Sequence, residues 1–204
     1  MTRKSKPTYD MEMSLRNQGY KYIIGVDEAG RGPLMGPVVA AAVNIPQGFD
    51  TSDINDSKKL SPKKRSYLFA QIAAECDARI QIIDNDVIDQ INILQATKMA
   101  MLFAIGKIPK ADYVLVDGNF LPDHLTIPGK AVIGGDRVCL SIAAASIVAK
   151  CYRDHLVSKY HKWHPEYGWD HNYGYGTLEH REAIKKYGVT TLHRKTFGRV
   201  KEYV

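Results

Sequence analysis

Two short apolar runs stand on either side of a glycine-rich turn. One is Tyr22 to Val26 and the other is Pro37 to Ile45 (PVVAAAVNI), with Gly30, Gly32 and Gly36 between them. Both are rich in β-branched residues and short for a helix, so they predict a strand pair joined by a tight connection. Ser61 followed by Pro62 is an N-cap and first-turn signal for a helix to about Arg79, and Ile80 to Ile83 predicts a strand. Asp86 predicts the cap of a second helix in which Ile88, Ile91, Leu94, Leu102 and Ile105 recur near the helical period, ending before Pro109. Tyr113 to Val116 and Ala131 to Ile133 predict two more strands. Ser141 to about Trp163, Ala-rich and free of Gly and Pro, predicts the longest helix. Strands first paired, then alternating with helices, imply an α/β domain with a mixed central sheet flanked by helices.

At 204 residues, 45% hydrophobic and 25% charged, the chain can bury one sizeable core, which excludes disorder and collagen-like repeats. No linker or internal repeat breaks it, so residues 21–204 are expected to form one domain, preceded by a loose basic N-terminal arm over residues 1–20. No apolar run is long enough to span a bilayer and no apolar segment follows the basic start, so the expected location is cytoplasmic, without a membrane partner. Cys76, Cys139 and Cys151 are odd in number and in no metal-binding spacing, which points to reduced packing residues. The formal net charge of +6 makes an anionic partner plausible.

That charge is uneven. Residues 150–204 carry eleven Lys+Arg against six Asp+Glu, ten of the nineteen aromatics and six of the seven histidines. Cations beside aromatic faces suit a nucleic-acid surface, but a solvated helical face over core aromatics has the same composition. The carboxylates break the tie. Asp27 and Glu28 follow the first apolar run, Asp117 follows Tyr113 to Val116, and Asp136 follows Ala131 to Ile133 and two glycines. Strand ends in α/β sheets gather groups from distant parts of a chain. Clustered acids repel one another unless cations sit among them, and oxygen ligands select hard ions such as Mg²⁺ or Mn²⁺. Alone, each acid could simply cap a turn. The turn from Gly30 to Gly36 fits neither nucleotide-binding template: Met35 stands where a third glycine is needed, and no Gly-Lys-Ser/Thr follows. Its glycines can still expose backbone amides to a ligand.

The string DEAGRGPLMGPVVAAAV (Asp27 to Val43) closely resembles the active-site segment of the type 2 ribonucleases H, the bacterial ribonuclease HII family. Further blocks follow in the family's order: NDSKKLS (Asn55 to Ser61), VDG (Val116 to Gly118), GD with SIAAASIVAK and YRD (Gly135 to Asp154), YGW through GYGTLEH (Tyr167 to His180), and LHRKTF (Leu192 to Phe197). The resemblance implies a ribonuclease H-like fold with a C-terminal helical extension from about residue 150 that grips substrate. It implies metal-binding catalytic carboxylates at Asp27, Glu28, Asp117 and Asp136, holding two Mg²⁺ or Mn²⁺ ions with substrate bound. Gly30, Arg31 and Gly32 match the loop that reads the ribose 2′-hydroxyl, and Tyr175 matches the tyrosine that stacks on the sugar at the RNA-to-DNA junction. Lys58 and Lys59 look like phosphate contacts. Arg194 is counted with them as a substrate contact, while His180 and His193 either touch substrate or brace the C-terminal segment. The implied partners are RNA/DNA hybrids and DNA containing ribonucleotides, and the expected state is a monomer. The alternative is a non-catalytic, basic hybrid-binding module. The related type 3 enzymes differ at the active-site loop and carry an added N-terminal domain, so type 2 is favoured. Two departures stand out: Gly134 where a basic residue is common, and Val189 and Thr191 in a block where prolines are common.

Overall fold

The computed structural model describes residues 6–204. Five strands, β1 (Ile23–Ala29), β2 (Val38–Asn44), β3 (Asp77–Ile83), β4 (Tyr113–Asp117) and β5 (Gly129–Val132), form one sheet in the order β3-β2-β1-β4-β5. β1 and β2 are antiparallel, as are β2 and β3, whereas β1 runs parallel to β4 and β4 to β5. The helices are α1 (Asp10–Asn17), α2 (Pro62–Glu75), α3 (Asn85–Gly106), α4 (Leu140–His161), α5 (Trp169–Asn172) and α6 (Leu178–Tyr187). Among the described residues no helix is long and apolar enough to cross a membrane.

Strand side chains alternate between faces, and each face of the sheet is covered. Ile24, Val26, Val38, Ala40, Ala42, Val114 and Val116 pack on α3 through Ile88, Ala96, Ala100, Met101 and Ala104. Ala41 and Val43 pack on α2 and α4, through Leu68 and Ile72 and through Ala143 to Ala145, Ile147 and Val148. β2 is therefore buried at all seven positions, which explains its unbroken apolar run. The approach of α4 is unusually close because β1 carries Gly25 opposite it. A Cβ there would lie 2.1 Å from the Ser141 carbonyl carbon and 2.3 Å from the Ile142 nitrogen. The Ala-rich sequence of α4 and this glycine together bring the helix backbone down onto the strand that carries Asp27 and Glu28.

Several expectations are corrected. Residues 6–20 are no loose arm: α1 buries Glu12 and Leu15, and Leu15 joins Ile23, Leu115, Val132 and Ile142 in one apolar cluster. Residues 1–5 of the expected arm lie outside the described residues. α2 starts as expected, with the Ser61 hydroxyl accepting from the Lys64 amide, but ends at Glu75, because residues 77–79 pair with Asn44, Val43 and Ala42 of β2. The cap position of α3 is Asp84, not Asp86. α3 is also interrupted at Asn92 (φ +66°), whose side chain accepts from the Leu94 and Gln95 amides and restarts the helix.

Candidate active site

Val26 and Val116 are the last register partners of the parallel β1/β4 ladder. Asp27 and Asp117 come next on the two strands. Neighbours in a parallel ladder point to the same side, so both acids face α4 at the point where the strands part. β1 itself continues to Ala29, held on its other edge by β2 through Asp27↔Ala41, Glu28↔Ala40 and Ala29↔Val39. The first acid pair thus lies inside the strand rather than beyond it. Consecutive strand side chains point to opposite faces, yet at this end of the sheet, where β4 has ended, Asp27, Glu28 and Asp117 all line one open cleft of about 370 Å³. Asp136 sits beside the cleft on a 3-10 turn, Gly135–Arg137, that links β5 to α4; it feels the charge of Asp117 but does not itself line the cleft. The Gly135 amide donates to Asp117 Oδ1 at 2.6 Å, which ties the two acidic segments together.

The acids disturb one another. Burial, reinforced by the charges of Glu28 and Asp117, holds the Asp27 carboxyl well above the usual range, although the Ser146 hydroxyl and the Glu28 amide, the latter donating at 2.7 Å, oppose the shift. Burial also raises Glu28, against the pull of the Arg31 guanidinium 3.5 Å away. Asp136 is raised by burial, then by Asp117 and Asp56, and lowered by Lys58 and Arg137, which stand 3.8 and 3.9 Å from its oxygens. Such a cluster is unfavourable by itself and gains when a cation enters. Among the described residues no three His, Cys, Asp or Glu side chains form a ready-made metal cage. The carboxylate oxygens of Asp27, Glu28 and Asp117 are hard donors of the kind Mg²⁺ takes, commonly one or two at a time with water and substrate phosphate completing its shell. The donor set fits a hard divalent ion in a site that substrate completes.

Gly30, Arg31 and Gly32 form one wall of the cleft and Tyr175 the next. A Cβ on Gly32 would meet Tyr175 Cε1 at 3.6 Å, so loop and ring are in near contact. Tyr175 is 44% exposed, consistent with its place between two glycines. Lys58 projects into the cleft, while Lys59 turns towards Asp56 at 3.9 Å and does not line it. Arg194 requires correction as a substrate contact. It is fully buried and donates to the backbone carbonyls of Gly30, Arg31, Pro33 and Gly36, so it holds the loop from behind. His180 and His193 are buried as well. The Trp169 indole donates to His180 Nε2 at 3.0 Å, His193 Nε2 lies 3.1 Å from the same atom, and His180 Nδ1 lies 3.0 Å from the Tyr175 carbonyl. Burial lowers both imidazoles, His193 to about 3, so both are neutral near pH 7. They brace the turn that carries Tyr175.

Four polar residues of the site have no role in the sequence reading. Ser57 and Ser146, whose hydroxyls lie 2.9 Å apart, and Lys150 line the cleft, and Arg153 lies buried behind it. The signal was present: Ser146, Lys150 and Arg153 fall at i, i+4 and i+7 of an Ala-rich helix, a single polar stripe on the face turned to β1.

A family profile described as Ribonuclease HII matches residues 24–200. Ribonuclease HII of Lactobacillus gasseri is 53% identical over 188 residues, covering 91% of this chain and 74% of that protein. The solved ribonuclease H2 of Pyrococcus horikoshii superposes with a TM-score of 0.75 at 26% identity, covering 90% of this chain and 97% of that one. Bst-RNase HIII, solved in complex with Mn²⁺, shares the fold with a TM-score of 0.72 at 17% identity, over 89% of this chain and 68% of that one. Taken with acids that converge where β1 and β4 part, these likenesses place the chain in the ribonuclease HII family, the type 2 ribonucleases H.

Proposed function

We propose that this ribonuclease is a metal-dependent endonuclease that hydrolyses the RNA strand of RNA/DNA hybrids and cuts on the 5′ side of a single ribonucleotide embedded in duplex DNA, leaving 3′-hydroxyl and 5′-phosphate ends. The observation that carries this reading is the meeting, in one cleft, of Asp27, Glu28 and Asp117 with the Gly30–Gly32 loop and Tyr175. The acids alone would suit many phosphodiesterases. A glycine loop beside an exposed aromatic ring adds a means of reading one sugar at the scissile position.

In this reading Asp27, Glu28, Asp117 and Asp136 would hold Mg²⁺ or Mn²⁺, which supplies Lewis acidity for attack of water on phosphorus and for departure of the 3′-oxygen. The Mn²⁺ bound to Bst-RNase HIII supports the ion class. Amides of the loop contact the ribose 2′-hydroxyl and fix which phosphodiester lies over the acids. Tyr175 stacks on the adjoining sugar, with Lys150 Nζ 5.8 Å from its ring centroid on a second side. Lys58, loosely paired with Asp136, is free to meet a phosphate oxygen.

Single-turnover cleavage of a labelled duplex containing one ribonucleotide tests the reading. Cleavage should require Mg²⁺ or Mn²⁺ and should fall by two orders of magnitude or more in Asp27→Asn and Asp117→Asn proteins, roughly the loss expected when electrostatic stabilisation of a reacting centre is removed. Undiminished cutting by either variant, or in excess EDTA, would overturn it. Tight binding of the duplex without cleavage under any metal would favour the hybrid-binding module instead.

A further inference from the structure

We propose that Arg153 and Arg194 act together as a guanidinium brace that sets ribose selectivity, positioning the Gly30–Gly32 amides and the Tyr175 ring without touching substrate. The inference rests on the reading that this loop recognises the 2′-hydroxyl.

The two arginines hold nearly every carbonyl of the loop. Arg194 Nη2 donates to Gly30 O at 2.6 Å, Nη1 to Arg31 O at 3.1 Å and to Pro33 O at 2.9 Å, and Nε to Gly36 O at 2.9 Å. Arg153 donates through Nη2 to Met35 O and through Nε to Pro37 O, each at 3.1 Å. Six carbonyls within residues 30–37 therefore point inward. A trans peptide is planar, with the C=O of one residue opposed to the N–H of the next. Fixing the Gly30 and Arg31 carbonyls on Arg194 thus turns the Arg31 and Gly32 amides away from it. Among the described residues neither amide donates a hydrogen bond, and both residues line the cleft. They are oriented donors with no protein acceptor, as a site for a sugar hydroxyl requires.

Arg153 also joins the loop to the aromatic turn. Its Nη1 donates to Tyr173 O at 3.1 Å, and the Leu34 amide donates to Gly174 O at 2.8 Å. Loop and turn are one stitched unit, so the distance from the free amides to the Tyr175 ring is fixed before substrate arrives. Gly30 accommodates the brace. Its φ of +102° favours glycine, and a Cβ there would lie 2.2 Å from Arg153 Nε. Lysine cannot replace either arginine, since a guanidinium offers five donors in a fixed plane whereas an ammonium offers three at one point. Every hydrogen bond of the pair goes to a backbone carbonyl, so two buried positive charges also stand behind the loop.

The test is equilibrium binding in an Asp27→Asn background, which removes cleavage. Affinities are measured for a duplex with one ribonucleotide and for the same sequence as all-DNA, and their ratio is taken, because an inactive fraction cancels in a ratio. Arg194→Lys and Arg153→Lys should each lower the ratio by about fivefold or more, the scale of losing one hydrogen bond, with all-DNA affinity changed less than about twofold. An unchanged ratio in both would reduce the arginines to a purely structural role and overturn the proposal. Should either variant fail to fold, amide exchange on the parent gives a second reading: the Arg31 and Gly32 amides should be protected by the ribonucleotide duplex and not by all-DNA, and equal protection in a parent whose affinities for the two duplexes differ would overturn it. A parent without discrimination would instead sink the ribose-reading role of the loop itself.

Discussion

Asp27 shows how a single side chain can be costly to the fold and yet stand at the centre of the candidate site. It is 6% exposed, and its carboxyl is raised by burial and by Glu28 and Asp117. A carboxylate whose folded pKa exceeds its unfolded value binds its proton more tightly when folded. Its ionisation therefore removes stability as pH rises from the unfolded pKa through the folded one, and the loss is complete above the folded value. Near pH 7 without metal, Asp27→Asn should raise the melting temperature while abolishing cleavage. Each unit of displacement corresponds to about 1.4 kcal/mol, so even a modest shift is measurable by thermal denaturation in EDTA. The gain should shrink at pH 4, where the parent carboxyl is itself protonated. A variant no more stable than its parent at pH 7 would mean that the acids do not strain the metal-free fold. Tyr175 makes the complementary case, because its exposed ring does little for the core. Tyr175→Ala should slow cutting at a lone ribonucleotide more than cutting of a long hybrid, where many registers are available, and leave stability within about 0.5 kcal/mol. Equal losses on both substrates, measured in parallel, would argue against a junction role.

At the scale of elements, sequence patterns exposed the sheet and hid what tertiary contact decides. The β-branched runs before Asp27 and Asp117 announced β1 and β4, and Ser61-Pro62 announced α2, because those signals are local. The end of α2 was not legible, since residues 77–79 become strand only by pairing with β2. Nor was α1, whose eight residues are too few to hold a helix unaided. Its anchor is Glu12: Oε1 accepts from the Ser141 amide at 2.8 Å, so a carboxylate from one helix caps another whose own N-cap position, Cys139, offers no side-chain bond. α4 carries Ser146 and Lys150 to the cleft, so this distant cap supports the site. Glu12→Ala should cost about 1–3 kcal/mol in urea denaturation, the range for losing a cap and leaving a buried amide unpaired. Glu12→Gln, which keeps an acceptor, should cost less; equal costs would assign the effect to charge rather than to the hydrogen bond. The convergence of Asp27, Glu28 and Asp117 was legible because they follow apolar runs that pair as strands, whereas the place of Asp136 beside the cleft and the buried roles of Arg194 and His193 were not, since a motif position carries no information about which way a side chain turns.

Over the whole molecule, the positive surplus divides differently from what composition suggests. Of the eleven Lys and Arg in residues 150–204, Arg153 and Arg194 are interior, and their charge is spent on backbone carbonyls. Aromatics divide too: Tyr167 and Trp169 stack at 5.0 Å inside the C-terminal core, whereas Trp163, Tyr175 and Tyr187 are exposed. The core-packing reading of this segment thus holds for Tyr167 and Trp169, and the exposed residues are the ones on which the nucleic-acid reading rests. Lys185 and Lys186 belong to the exposed set, on the last turn of α6, with Lys186 Nζ 4.9 Å from the Tyr187 ring centroid. Each phosphate neutralised by such a cation releases counterions, which makes log affinity fall with log salt by about 0.9 per contact on duplex DNA. If α6 lies against the duplex, Lys185→Ala/Lys186→Ala should reduce that slope by about one to two and weaken ribonucleotide-containing and all-DNA duplexes alike. The brace variants should do the reverse, changing discrimination between the duplexes while leaving the slope intact, because their charges never reach a phosphate. Salt titrations of both sets from 50 to 200 mM separate the two behaviours. A slope unchanged by the lysine pair would return α6 to a solvated face, and a slope altered by the arginines would mean that the loop admits the phosphate backbone.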